Sequence, residues 1–413
     1  MPRPAGTATY LALLRLPGAL SAFAAATLLR LSYATLVLSL LFVVEGATGS
    51  FAVAGAALGA CALSTVLAPY KSRLVDRLGV RPTLTGLGVG YAAVLVVLVT
   101  CAGAGISSPT GYLLLSGLAG ILTPPVGPIM RGIWATLTPS SAERNRAYSL
   151  DAVAEESLFA VGPLLVGAVV AVADPQAALL MTAFLALIGS VVLAASPLAR
   201  RGEVTTAGHL PRRLLGPLLL PGIRWVALAT VGFGLAPLEV AVAARAAEAG
   251  NPALAGYLLA LLSLGSAAGG LAWGRMHHDR RASTQLLALM GVLGVGTVAA
   301  GVAPSLPTLG LALALTGAVV APAFVVAYVL ADHMVEQRMR TEATTWVSTA
   351  SNLGGAAGAA TAGVVVEHLD AQAAFVVGGM TLIVLLPVLV ITRHRALVGL
   401  GFRPARGAPW VAL

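Results

Sequence analysis

The sequence predicts an all-α membrane protein built from two six-helix bundles that are related by an internal repeat. Of the 413 residues, 58% are hydrophobic and 10% are charged, and the mean hydropathy is +0.91. A water-soluble core cannot absorb that much apolar surface, so most of it must face lipid. The apolar runs are long and lack the alternation of a membrane β-barrel, which favours helices.

The internal repeat is the second observation. Residues 144–178 return in related form 196 positions later, as residues 340–374, with identity at 12 of 35 positions. A chain this rich in Ala, Leu, Val and Gly would give roughly four identities by chance. Residues 49–65 correspond in the same way to residues 250–266, at a shift of 201. We therefore interpret the two halves as copies of one membrane-embedded design.

The apolar runs give the boundaries of the two halves. The run after residue 17 carries Arg30 and continues to Val44, so we interpret it as a retained span rather than a signal peptide. Residues 1–17 form an N-terminal segment, 18–197 the first half, 198–223 a flexible linker rich in Arg, Pro and Gly, 224–392 the second half, and 393–413 a tail. The twelve predicted spans, numbered in order, are 18–44, 52–70, 83–103, 111–134, 148–173, 177–197, 224–246, 253–273, 284–303, 308–330, 345–366 and 373–392.

The distribution of basic residues predicts the orientation. Of the 25 Lys and Arg residues, all but Arg30, Arg131 and Arg245 fall at one side of the membrane. Positive connections stay cytoplasmic, so both termini are expected in the cytoplasm. The net charge of +9 is spread over these connections instead of one soluble face, so we expect no nucleic-acid partner.

Motifs for enzyme chemistry are missing from the sequence. It has no Walker loop, GxSxG, CxxC or HExxH. Cys61 and Cys101 lie inside apolar runs and are predicted to be free thiols, and none of the six His residues lies deep in a span. We therefore expect neither an enzyme, nor a metal site, nor a cofactor.

The connection between spans 2 and 3 carries a family motif. Residues 72–82 read SRLVDRLGVRP, and Asp76, Arg77, Gly79 and Arg81 match a signature by which the sequence resembles the major facilitator superfamily. This resemblance implies two six-helix halves around a central cavity. One carboxylate among arginines on a short turn can cap a facing helix and be released when the halves rock. The alternative is that these charges only enforce topology.

Span 5 contains a second, partial motif. Gly162, Pro163 and Gly167 resemble the superfamily's antiporter motif, which is associated with export. The alternative interpretation is a simple proline kink. Gly55 and Gly59 in span 2 have the spacing of small residues that allow close helix packing in lipid.

Two charged residues lie within spans. Arg30 is about 18 Å along span 1, close to the midplane, and Glu239 lies in span 7. The resemblance places spans 1, 4, 7 and 10 around the cavity. Arg30 then suits either an anionic substrate group or a partner carboxylate, and Glu239 could carry a proton. The alternative for both residues is a buried structural ion pair.

Acidic residues open span 5. We predict that Arg131 near the end of span 4 forms an ion pair with Asp151, with Glu155 and Glu156 as candidates for coupling. The repeat places Asn352 at the position equivalent to Glu156, so the second half stays polar at this depth and Asn352 is a further candidate for substrate binding or coupling. Span 4 also contains three prolines and should bend where its freed carbonyls find partners.

The resemblance implies a secondary transporter, similar to bacterial drug or metabolite efflux members. We predict export of a small amphipathic or drug-like compound by alternating access, with the proton gradient as energy source. The alternatives are uptake of a metabolite by symport or uniport, and a non-transporting receptor or lipid-handling protein. We further expect a monomer in a bacterial inner (plasma) membrane, with lipid and a small-molecule substrate as its partners.

Overall fold

The computed structural model describes residues 10–138, 140–200, 221–231, 235–276, 281–335 and 340–398. These residues are almost entirely helical, and no strand occurs among them. Nine helical segments of the described ranges are long and apolar enough to cross a membrane. The prediction of an all-α membrane protein is therefore confirmed.

The first half contains ten α-helices and one 3₁₀ turn, Ser64–Leu67, between α3 and α4. The helices are α1 Tyr10–Leu14, α2 Ala19–Thr48, α3 Phe51–Leu63, α4 Ala68–Leu78, α5 Val80–Gly103, α6 Pro109–Leu122, α7 Val126–Leu137, α8 Ser141–Val172, α9 Pro175–Ala195 and α10 Pro197–Arg200.

The second half contains eight helices in the described residues. They are α11 Pro221–Val231, α12 Ala236–Glu248, α13 Leu254–Trp273, α14 Ala282–Gly301, α15 Leu306–Gly317, α16 Val320–His333, α17 Arg340–His368 and α18 Ala371–Val398. The predicted spans 2, 4, 7 and 10 each correspond to two consecutive helices, and each of the other eight spans corresponds to one.

Polar caps explain where several of these helices begin. The side chains of Ser50, Ser108 and Ser140 each accept a hydrogen bond from the backbone N–H three residues later, at the starts of α3, α6 and α8. Asp174 does the same at the start of α9. These side chains satisfy amides that have no partner within the helix, so the short turns are encoded locally.

The connection between spans 2 and 3 is shorter than predicted. The helix continues past residue 70 as α4 to Leu78, so most of the predicted loop is helical. The chain reverses at Gly79, whose φ of 88° lies in the left-handed region that favours glycine. The central linker at 201–220, residues 1–9 and residues 399–413 lie outside the described residues.

The helices of the two halves pack in the same pattern. In the first half α2 packs against α8 and α9, and α5 packs against α9. In the second half α12 packs against α17 and α18, and α14 packs against α18. Between the halves, α3 packs against α17 and α8 packs against α13. The packing therefore agrees with the internal repeat.

Candidate functional site

A buried ion pair joins α2 to α8 in the middle of the first half. Arg30 Nη1 lies 2.6 Å from Asp151 Oδ1, and Arg30 Nη2 lies 2.6 Å from Asp151 Oδ2. The residues are 3% and 6% exposed. Such two-point contacts match the planar fork of a guanidinium to a carboxylate. The predicted pairing of Asp151 with Arg131 is therefore wrong: Asp151 is buried and pairs with α2, whereas Arg131 is exposed on α7.

Glu155 lies one helical turn beyond Asp151, and its side chain is partly exposed. Its Oε2 is 3.7 Å from Arg30 Nε, and 51% of its side chain is exposed. Arg30 Nε is buried and has no hydrogen-bond partner among the residues that the structure describes. Because both terminal nitrogens of Arg30 are bonded to Asp151, the geometry favours the role of Arg30 as a counter-ion over that of an anion site.

The other predicted polar residues at this depth are not brought into contact with Arg30. Asn352 is exposed on α17, in the second half, and no hydrogen bond joins it to the Arg30 group in the described part of the chain. The neighbouring Ser351, the repeat partner of Glu155, is buried. The side chain of Glu156 lies outside the described residues.

Glu239 lies in the first turn of α12, where the second half of span 7 begins. Its side chain is half-buried, and its carboxyl has no hydrogen bond or ion pair to any residue that the structure describes. A carboxylate in the first helical turn is favoured by the helix dipole. Glu239 and Arg30 therefore occupy separate places, one in each half.

The break in span 4 is stabilised by two side chains from neighbouring helices. Residues 123–125 separate α6 from α7, as the prolines predict. The hydroxyl of Tyr33 donates to the Pro124 carbonyl at 2.5 Å. Lys71 Nζ donates to the carbonyls of Gly120 at 2.8 Å and Thr123 at 3.0 Å.

Sequence reasoning missed both of these partners. Lys71 is the only lysine in the chain, and the predicted end of span 2 at residue 70 assigns it to the following connection. One signal was available for Lys71. A single lysine at the end of one span could donate to the carbonyls that the prolines leave free in another.

We expect Lys71→Met to lower the stability of the purified protein, because the Gly120 and Thr123 carbonyls would lose a charged donor. An unsatisfied buried group costs about 1–3 kcal/mol. The measurement is the free energy of unfolding in detergent–SDS mixtures. Arg73→Met is the matched control, since Arg73 is exposed on the same helix. Equal stability of the Lys71→Met variant and the wild type would contradict the assigned role.

The predicted gate motif is described only in part. Arg77, Gly79 and Arg81 are exposed at the turn between α4 and α5, and the side chain of Asp76 lies outside the described residues. The gate at this end therefore stays a prediction.

Close glycine contacts form two seams between the halves. In the α8–α13 seam, a Cβ on Gly256 would collide with the Pro163 carbonyl and come within 2.9 Å of the Gly167 Cα. In the α3–α17 seam, a Cβ on Gly55 would collide with the Ala359 carbonyl, and one on Gly363 with that of Phe51. The shifts of 196 and 201 map one seam onto the other, so the repeat extends to these contacts.

The predicted motif in span 5 lies in this packing. α8 runs continuously through Pro163, so the proline does not end the helix. Gly162 allows α2 to approach at Ala34, where a Cβ would lie 2.6 Å from the Ala34 Cβ, and Gly167 allows α13 to approach. The predicted close packing of Gly55 and Gly59 is also present, because both face α17.

Both seams lie at the same end of the molecule. We call this the seam end; its turns are residues 49–50, 104–108, 173–174, 249–253, 302–305 and 369–370. The opposite end contains the Gly79 turn and the residues that follow α13. The two halves are thus held together at the seam end.

An apolar pocket of about 260 Å³ lies in the second half, between α12, α14, α17 and α18. No charged residue lines it. The hydroxyls of Thr297, Thr361 and Thr381 in its wall donate to carbonyls of their own helices. The pocket therefore offers hydrophobic contact rather than polar recognition.

No group of three His, Cys, Asp or Glu residues that could hold a metal ion occurs in the described ranges. Cys61 and Cys101 are free thiols, as predicted.

Comparison with known proteins agrees with this architecture. The family profile of the Major Facilitator Superfamily matches residues 19–238 and 224–413. No curated protein matches the chain in sequence. Similar solved structures include the nucleoside transporter NupG (TM-score 0.70, 14% identity, covering 91% of this chain and 98% of that one). A bacterial homologue of the iron transporter ferroportin has a TM-score of 0.67 at 13% identity, covering 90% of this chain and 98% of that one.

A bacterial homologue of the human lysosomal transporter Spinster has a TM-score of 0.66 at 14% identity, covering 94% of this chain and 98% of that one. At these identities the structural likeness establishes the fold, and the profile match across both halves establishes the family. The chain belongs to the Major Facilitator Superfamily.

Proposed function

We propose that this major facilitator protein exports a small amphipathic or drug-like compound in exchange for protons. The observation that carries the proposal is the carboxyl of Glu239, which lies half-buried in a span without a partner among the described residues. An ionisable group at membrane depth is costly and is by default a functional candidate. Glu239 is the proposed site of proton binding and release.

The charges of the first half support the same proposal. Arg30 and Asp151 neutralise each other, which leaves the exposed carboxylate of Glu155 as a second acidic group in a span. Each half then contains a carboxylate that is a candidate for proton binding during the transport cycle. The largely apolar helices suit a compound with a hydrophobic body.

Alternating access is supported by the location of the two seams. We propose that both termini are cytoplasmic, because the basic connections lie at the end opposite the seams. The seam end would then face the outside, and the described state would be open towards the cytoplasm. The protein is further proposed to act as a monomer in a bacterial inner membrane, with lipid as its surroundings and without a cofactor.

The proposal is tested in inside-out vesicles that contain the protein and a pH-sensitive dye. After the vesicles are energised, lipophilic cations and neutral aromatic compounds are added one at a time. We expect at least one class to collapse the proton gradient with wild-type protein, and the Glu239→Gln variant to lose this response.

Glu248→Gln is the matched control, because Glu248 ends the same helix and is exposed, with bonds to Arg245 and Ala371. A Glu239→Gln variant that exchanges protons like the wild type would contradict the role of Glu239. If no compound collapses the gradient and a labelled metabolite equilibrates without one, a facilitated carrier replaces the export proposal.

A further inference from the structure

Glu367, at the end of α17, makes a polar contact between the two halves at the seam end. Its Oε2 accepts hydrogen bonds from the Ser50 hydroxyl and from the Ala52 N–H, the latter at 3.0 Å. Ser50 is the N-cap residue of α3, a helix of 13 residues. The carboxylate therefore lies at the positive end of a helix that belongs to the other half.

The contact has no equivalent at the second seam. The repeat places Ala171 where Glu367 stands, and alanine has no side-chain acceptor. The α8–α13 seam combines close packing with one neutral hydrogen bond, from the Ser263 hydroxyl to the Phe159 carbonyl at 3.1 Å. The α3–α17 seam combines packing with a charge-dependent contact.

We propose that Glu367 is a latch that holds the seam end closed, and that loss of its negative charge shifts the protein towards the state open at that end. When the halves separate at this end, α3 and α17 move apart and the carboxylate leaves Ser50 and Ala52. The proposal rests on alternating access but not on the substrate, the direction of transport or the role of Glu239.

The charge of Glu367 is sensitive to this contact. The hydrogen bonds from Ser50 and then Ala52 lower the pKa of Glu367, and the nearby His368 adds a smaller effect of the same sign. Glu367 lies outside the predicted spans and is exposed. In the open state the contact is lost and the pKa returns to its ordinary value. The latch is therefore fully present above the ordinary pKa of a glutamate and is lost as the pH falls through the lowered value.

Other titratable groups lie at the seam end, at the ends of α17 and of the helices that pack against α3 or α17. They are His368, Asp370, Glu45 at the end of α2, and Arg245 and Glu248 at the end of α12.

Three of these groups form hydrogen bonds or ion pairs within the second half. Asp370 accepts from the Ala373 N–H, and Glu248 accepts from the Ala371 N–H and pairs with Arg245. α3 itself contributes no acidic or basic side chain. Among the contacts of the described residues, Glu367 is the carboxylate that joins the two halves at this end.

The latch is tested by distance measurements across the seam end. Spin labels are placed by Ser107→Cys and Val302→Cys, which are exposed turn positions in opposite halves, in a protein whose two cysteines are replaced by alanine. Pulsed electron paramagnetic resonance in lipid nanodiscs at pH 7.5 gives the distances between the labels, and from them the ratio of open to closed molecules. An exposed charged contact of this kind corresponds to roughly a two- to fivefold change in such a ratio.

We expect Glu367→Gln to raise the open fraction by about that factor, and Glu367→Ala to raise it at least as much. Asp370→Asn is the control, because Asp370 lies three residues away and caps a helix of its own half. Lowering the pH below the ordinary pKa of a glutamate should progressively open the wild type and change the Glu367→Gln variant less.

Two outcomes would overturn the latch. One is an unchanged ratio in both Glu367 variants at pH 7.5. The other is an equal shift in Asp370→Asn, which would indicate general loosening of the helix ends. Since the readout is a distance, the latch can fail while proton-coupled transport stands, and the reverse also holds. Size-exclusion profiles establish that each variant is folded before it is measured.

Discussion

Replacing Asp151 with alanine is expected to lower the free energy of unfolding by about 3–5 kcal/mol, because the charge of Arg30 would remain in the interior without its partner. Arg30 is 3% exposed, and both of its terminal nitrogens are bonded to Asp151. Glu155 is mostly solvent-facing, and its single contact at 3.7 Å is too loose to replace the lost bonds. The measurement is unfolding of the purified protein in detergent–SDS mixtures.

Two further variants separate charge from packing. The double variant Arg30→Met with Asp151→Leu should recover most of the stability, because removing both members of a buried pair is often close to neutral. Glu155→Gln should change stability by less than about 1 kcal/mol, as expected for an exposed contact. Equal losses in the single and the double variant would show that the site depends on side-chain shape rather than on paired charge.

Replacing Gly256 with valine is expected to abolish most transport by preventing closure of the seam end. Any side chain at this position would collide with the Pro163 carbonyl, a backbone atom that cannot rotate away. The Gly167 Cα, 2.9 Å from the position of the added Cβ, blocks the other direction. A seam that cannot close removes one of the two states that alternating access needs. We therefore expect transport to fall at least tenfold, which corresponds to a change of about 1.4 kcal/mol or more in the free energy of seam closure.

The repeat supplies an internal check for this prediction. Gly55→Val places the same bulk in the α3–α17 seam and should have the same effect. Gly86→Val is the control, because Gly86 is also within a helix but has nothing within 4 Å of an added Cβ. Transport is followed with the compound identified in the vesicle assay. If Gly256→Val transports normally while Gly86→Val does not, the seam has no role in the cycle.

The sequence predicted the architecture well because helices that face lipid require long, continuous apolar runs, which are easy to recognise. Continuous apolar runs and the repeat together predict two six-helix halves, and the family match and the structure agree. The helix caps at Ser50 and Asp174 also follow from local chemistry. The predicted helix ends were less accurate. Span 2 is predicted to end at residue 70, just before the first charged residue, whereas α4 continues to Leu78 through four charged positions.

The partners of the candidate site were harder to predict. Arg30 and Asp151 were both identified from sequence, but their pairing depends on which face of α8 meets α2, and periodicity does not fix that rotation in a helix that is apolar on most sides. Arg131 is the nearer choice in the predicted topology, but it is exposed on α7. Lys71 was missed because its amine reaches back from the end of span 2 to a break in another helix.

The seam contacts show what the repeat could have predicted. Gly167 and Gly363 were aligned by sequence, as were Gly55 and Gly256, but the sequence did not reveal that members of different pairs touch across the interface. Contacts between the halves depend on how the two bundles are placed relative to each other. Aligning the sequence of one half with that of the other gives no information about this placement.

The central claim, that two halves close alternately at opposite ends, is tested most directly by measuring both ends in the same protein. One pair of spin labels, at Ser107 and Val302, spans the seam end; a second pair, at Leu78 and Met276, spans the opposite end, and all four positions are exposed. Distances are recorded with and without substrate and at two pH values. The account predicts that whenever the seam-end distance lengthens, the distance at the opposite end shortens in the same fraction of molecules. Distances that stay fixed at both ends, or that lengthen together, would contradict alternating access.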